Sequence, residues 1–157
     1  FTETSLTDDE QQEAPICRWY KGDCIIDIMP TTPILGFVNS WYASAFKHKQ
    51  PYNLQGKLIY IISSVYFIAT KIEAFNGRGK GDFIGSHDME DIISLIEKRS
   101  ELVSEIQLAE LDVRNFIINT FKDWSSRGRF FNDIIGHCDP EQDNGLLVIR
   151  RIRELIS

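Results

Sequence analysis

The apolar rhythm of the chain changes at Ser63, and that change constrains the fold more than any other feature. From there Val65, Ile68, Ala69, Ile72 and Phe75 recur at i, i+3, i+4, i+7 and i+10, the spacing that lays a stripe along one side of a helix. Before it, short β-branched runs are punctuated by turn residues. "ICRWYKGDCIIDIMP" predicts two strands around a turn at Lys21-Gly22-Asp23, ended by Pro30. "QPYNLQGKLIYIIS" predicts a second hairpin turning at Gln55-Gly56. Strands first and helices afterwards imply an α+β fold, a small mixed or antiparallel sheet followed by a C-terminal helical bundle.

Local signals mark where the helices begin and end. Ser63 or Ser64 is placed to cap the first long helix and Gly77 to stop it. Ser86 is placed to cap the next, whose core positions are Met89, Ile92, Ile93 and Ile96. "AELDVRNFIINTFKDWSS", "RFFNDIIGHC" and "GLLVIRRIRELIS" predict three more, and a short helix is expected around Asn39 to Lys47, after the breaks at Pro33 and Gly36. Trp19, Trp41, Trp124, Phe130 and Phe131 are expected in the core. By organisation, residues 1–14 read as a flexible acidic segment, 15–97 as the α+β domain and 98–157 as the helical region.

On the second strand Cys24, Ile26 and Ile28 share one face and Ile25, Asp27 and Met29 the other. Both faces are apolar apart from Asp27, so the strand is expected inside a sheet. A carboxylate there has to be paired, hydrated or bound to metal; Arg18 or a backbone donor is one partner, a metal ion the other.

Composition narrows the function. The 157 residues are enough for one domain with a real core. A net charge of −6 argues against broad binding to nucleic acid phosphates but leaves room for a local basic pocket. Cys17, Cys24 and Cys138 are odd in number and lack metal-ligand spacing, which suggests a reduced, cytoplasmic setting. There is no run of the roughly 18 apolar residues a membrane span needs and no secretory signal pattern, so no membrane partner is expected. His48, His87 and His137 are scattered, without a ligand pair or a Ser/His/Asp arrangement.

Charge concentrates in one stretch, "KIEAFNGRGKGDFIGSHDMEDI". Lys71 and Arg78, seven residues apart, lie on one flank of a helix that reaches both, and Asp88 and Asp91 share a flank of the next. Folded antiparallel, the two helices set cations against carboxylates. Two readings stay open. One is a pair of solvated helix flanks. The other is a site in which Lys71 and Arg78 neutralise a triphosphate while the carboxylates hold Mg²⁺ or accept a proton from an attacking hydroxyl. The glycines match neither the P-loop nor the Rossmann spacing.

The longer stretch "FIATKIEAFNGRGKGDFIGSHDMEDI" resembles the second signature of the AbiEii/AbiGii-type toxin nucleotidyltransferases, a family of the polymerase-β-like nucleotidyltransferase superfamily met in bacterial toxin-antitoxin and phage-defence systems. Lys71, Ala74 and Arg78 fall on that signature. Its paired aspartates are met by Asp88 and Asp91, followed by Ile92, with Asp82 a rival for the first because "GKGD" resembles the family's basic-residue–Asp step. "CIIDIMP" looks like the central strand of that fold, which makes Asp27 a third carboxylate. The resemblance covers residues 15–97.

It implies Mg²⁺-dependent transfer of a nucleoside monophosphate from a nucleoside triphosphate to an RNA or protein acceptor, with an antitoxin protein as partner. Lys71 and Arg78 would bind the nucleotide, Asp88 or Asp91 would act as base or orient Lys71, and Asp27 would stand at the metal. The chain departs from the family in a longer Arg78-to-Asp spacing, in Gly81 where a basic residue is usual, and in lacking the first signature, Gly-Ser followed by Asp-x-Asp. Opening at Phe1 without Met fits that part having been cut away, so an N-terminally incomplete enzyme is expected. The alternative is a non-catalytic scaffold or binding module of the same fold, or a fragment inactive on its own.

Overall fold

The turn signals fold as the sequence predicts. β1 (Arg18–Lys21) and β2 (Cys24–Asp27) pair antiparallel, with Arg18 opposite Asp27 and Lys21 opposite Cys24. β3 (Gln50–Leu54) and β4 (Lys57–Ile61) pair likewise through Gln55 (φ 51°) and Gly56 (φ 82°). Positive φ at both central residues gives the turn a twist that matches the strands it joins. The computed structural model describes residues 18–28, 39–138 and 144–157; the acidic segment 1–14, Cys17 and the stretch from Pro30 to Gly36 lie outside them.

The chain divides into two compact units, Phe1–Val38 and Asn39–Ser157. The first contains β1 and β2, and here one expectation fails. Among the described residues this sheet has two strands, and Cys24, Ile25, Asp27 and Ile28 are exposed. β-Branched residues on both faces report strand propensity and not what covers the strand. The desolvation cost that singled out Asp27 therefore does not arise. Trp19 is exposed as well rather than in the core.

The second unit begins with α1 (Tyr42–Lys47), followed by β3 and β4, and then by α2 (Ser64–Arg78), α3 (His87–Lys98), α4 (Leu102–Gln107), α5 (Leu111–Ser126), α6 (Phe130–Ile135) and α7 (Asn144–Ile156). Among the described residues these seven helices contribute to one core, so the boundary expected near residue 97 falls inside a continuous apolar cluster. α2 buries the stripe read from the sequence, with Ser63 Oγ accepting from the Tyr66 amide at 3.5 Å. It runs past Gly77 to Arg78, where the Gly79 amide donates to Phe75 O at 2.8 Å. An interior glycine costs about 1 kcal/mol, less than burying Phe75 recovers. α4 escapes a reading by period because six residues hold too few turns to show one, yet Leu102 and Ile106 are buried.

The core is centred on Trp124, 1% exposed. Phe75, Phe83 and Phe121 meet its ring edge-on with centroids 5.2, 5.7 and 5.4 Å away. Phe130 is buried beside them, Trp41 packs on Phe116 at the margin, and Phe131 is half-buried. Arg151 of α7 then closes the end of α3, donating from Nη1 to Ile96 O at 2.6 Å and Glu97 O at 2.8 Å. A cation on orphan carbonyls satisfies acceptors that the helix cannot. Arg151→Ala is expected to cost about 1–2 kcal/mol in urea unfolding, and a loss of under about 0.3 kcal/mol would remove that role.

Candidate functional site

α2 and α3 are joined by eight residues, Gly79 to Ser86, and lie against one another so that the flanks read from the sequence meet. Arg78 sends a two-pronged hydrogen bond to Asp88, Nε to Oδ2 and Nη2 to Oδ1, both at 2.8 Å. Lys71 Nζ lies 3.3 Å from Asp88 Oδ1 and 2.5 Å from Asp91 Oδ2. The four side chains form one network at the surface end of the helix pair.

Burial differs sharply across it. The side chain of Asp88 is 5% exposed and that of Lys71 26%, against 46% for Asp91 and 64% for Arg78. For Asp88, burial pushes the carboxyl pKa up, but the Arg78 hydrogen bonds and the charges of Arg78 and Lys71 outweigh it and hold it below the usual range. The Asp88 hydrogen bond raises Arg78 further. Asp88 is thus a charged, fully engaged carboxylate. Asp91 is engaged by Lys71 and open to water.

One neighbour had no signal in the sequence. Tyr42 of α1 lies within the field of Arg78, Lys71, Asp88 and Glu73; burial raises its phenol, while the two cations pull the other way. α1 is fixed to α2 just before it, by Asn39 Nδ2 donating to Thr70 O at 2.8 Å and by the Ser40 amide donating to Glu73 at 2.9 Å. Nothing in the spacing of Tyr42 marks it, because α1 is fastened to α2 by a bond between Asn39 and Thr70, 31 residues apart in the chain. On the other side Asp91 lines an open cleft of about 610 Å³ with Glu90, Ser94, Glu97, Lys98 and His137. Three carboxylates there make the cleft unfavourable to phosphate.

The other expected residues lie elsewhere. Asp82 does not enter the network; its Oδ1 accepts from the amides of Ile84 at 3.0 Å and Gly85 at 2.9 Å. Asp27 belongs to the first unit. Asp88 and Asp91 do not fit a resident Mg²⁺ as they stand, since both Asp88 oxygens accept from Arg78 and Asp91 is taken by Lys71. No group of three His, Cys, Asp or Glu side chains among the described residues is arranged to hold a metal. Compared with known proteins, the chain matches no family model, no curated protein sequence and no solved structure.

Proposed function

We propose that this chain carries the polyphosphate-gripping part of a nucleotidyltransferase-like site, acting on a nucleoside triphosphate and an RNA or protein acceptor. The observation that carries the reading is the meeting of Lys71 and Arg78 with Asp88 and Asp91 on two adjoining helices. Two cations held by acids are pre-positioned for a dense anion, and this is what lowers the cost of binding one. Arg78 spends its Nε and Nη2 edge on Asp88, which leaves the Nη1 side toward solvent for phosphate oxygens.

The step itself is a displacement. The acceptor hydroxyl oxygen forms a bond to the α-phosphorus, the bond to the pyrophosphate oxygen breaks, and pyrophosphate leaves with the electron pair. The hydroxyl proton passes to the solvent-facing carboxylate of Asp91, and Lys71 and Arg78 neutralise the leaving charge. Asp88 holds the two cations in place. A divalent ion belongs, in this reading, to the incoming nucleotide complex. An antitoxin protein partner and a role in bacterial defence are part of the same proposal, resting on the resemblance of the signature alone.

A second reading has its own support. Both oxygens of Asp88 are occupied by Arg78, as in an ion pair whose task is to fasten α2 to α3. The same fold would then serve as a non-catalytic scaffold. Lys71→Ala separates the two. For the catalytic reading it should weaken tripolyphosphate binding, measured by calorimetry, about tenfold and abolish transfer of labelled nucleotide. Unchanged binding and transfer, with only a lower unfolding midpoint, would leave the scaffold.

A further inference from the structure

Between Arg78 and Asp88 the backbone is tied at almost every step. Lys80 (φ 49°) and Gly81 (φ 76°) turn the chain back through the left-handed region after α2, which costs a non-glycine residue about 1 kcal/mol. The Asp82 amide donates to Gly79 O at 2.8 Å, and Asp82 Oδ1 accepts from Ile84 and Gly85. Phe83 enters the aromatic cluster, 5.2 Å from Phe75 and 5.1 Å from Phe130. Its carbonyl accepts from His137 Nε2 at 2.7 Å. Ser86 Oγ then accepts from Met89 N at 3.4 Å and starts α3. A Cβ on residue 85 would stand 2.6 Å from Asp82 Oδ2, so an alanine there has to push the carboxylate aside.

We propose that Asp82 is a positioning residue for the cation cluster: by locking this turn it sets the two-pronged contact of Arg78 on Asp88 and so the shape of the polyphosphate grip. This rests on the reading of the cluster given above. A fork with both prongs at 2.8 Å tolerates shifts of only a few tenths of an ångström, and Arg78 and Asp88 sit on different helices whose connection is this loop. Asp82 itself faces backbone amides, not the cluster, so its effect reaches phosphate through Arg78. The Gly85 and Ile84 amides, in that order, also hold its carboxyl below the usual range, as expected of a charged acceptor in a turn.

The test uses three variants of the full chain, Asp82→Ala, Asp82→Asn and Gly85→Ala. Two quantities are read: tripolyphosphate affinity, and the Arg78 Nε–H signal in ¹⁵N NMR. Asn keeps an oxygen where Oδ1 accepts, so Asp82→Asn should stay within about twofold of the parent in affinity and keep the signal. Asp82→Ala should weaken binding about tenfold and lose the Arg78 signal. Gly85→Ala, which displaces the same carboxylate without changing charge, should match it. Asp82→Asn as damaging as Asp82→Ala, or an Arg78 signal that survives in both alanine variants, would overturn the proposal. If the parent itself fails to bind tripolyphosphate, the phosphate reading falls, and the Arg78 signal alone still decides whether Asp82 positions the fork.

Discussion

Trp124→Ala is expected to destabilise the helical unit by about 3–5 kcal/mol, a large share of the roughly 5–15 kcal/mol by which domains are stable. Trp124 is 1% exposed and touches aromatic rings from α2, α5, α6 and the α2–α3 loop. Truncation leaves a cavity whose walls are stiff rings, three of them edge-to-face with Trp124 and the fourth, Phe130, tilted against it, so the site cannot collapse cheaply. Urea unfolding followed by circular dichroism checks the figure. Because Phe83 loses its neighbour, the loop that sets Arg78 against Asp88 should loosen as well. A loss below about 1 kcal/mol would mean that the rings repack freely and that the core is not organised around this residue.

Arg78→Ala should cost about 2–3 kcal/mol at neutral pH, with a pH dependence that identifies the cause. Removing one partner of a buried pair usually costs about 3–5 kcal/mol. The figure is reduced here because Arg78 is 64% exposed and Lys71 remains 3.3 Å from Asp88. In the parent, Asp88 has its carboxyl lowered on folding. A lowered carboxyl contributes stability that is present above its unfolded value, about 3.9, and is lost as pH falls through the lower folded value. Without Arg78, burial meets only Lys71 and the folded carboxyl moves up. The gap between parent and variant should therefore be widest near pH 7, shrink as pH falls below about 4, and close only below the lowered folded value, where a protonated Asp88 no longer needs the guanidinium. A gap that stays constant from pH 7 to pH 3 would show that Arg78 acts through packing and not through Asp88.

What could be read from the sequence follows from how local each signal is. The two hairpin turns, the stripe on α2 and the caps at Ser63 and Ser86 depend on residues within a few positions of one another. So does the sharing of a flank by Lys71 with Arg78, and by Asp88 with Asp91. Two helices joined by a short loop have little choice but to lie side by side, so the meeting of those flanks was legible too. The place of Tyr42 beside the cluster was not, because α1 is fastened to α2 by bonds between residues far apart in the chain. Nor was the exposure of Asp27 and Trp19, since strand composition carries no record of what covers a strand.

Asp82 and Asp88 show the same division at closer range. Both are aspartates in one glycine-rich stretch, and sequence alone left them as rivals for a single role. The folded chain separates them: one carboxylate turns back onto two amides of its own loop, the other is buried under a guanidinium and an ammonium. By itself the sequence determined where the long helices begin and which charges share a side. Which acid meets which cation was decided only when the helices packed, because burial and direction of a side chain are properties of its neighbours.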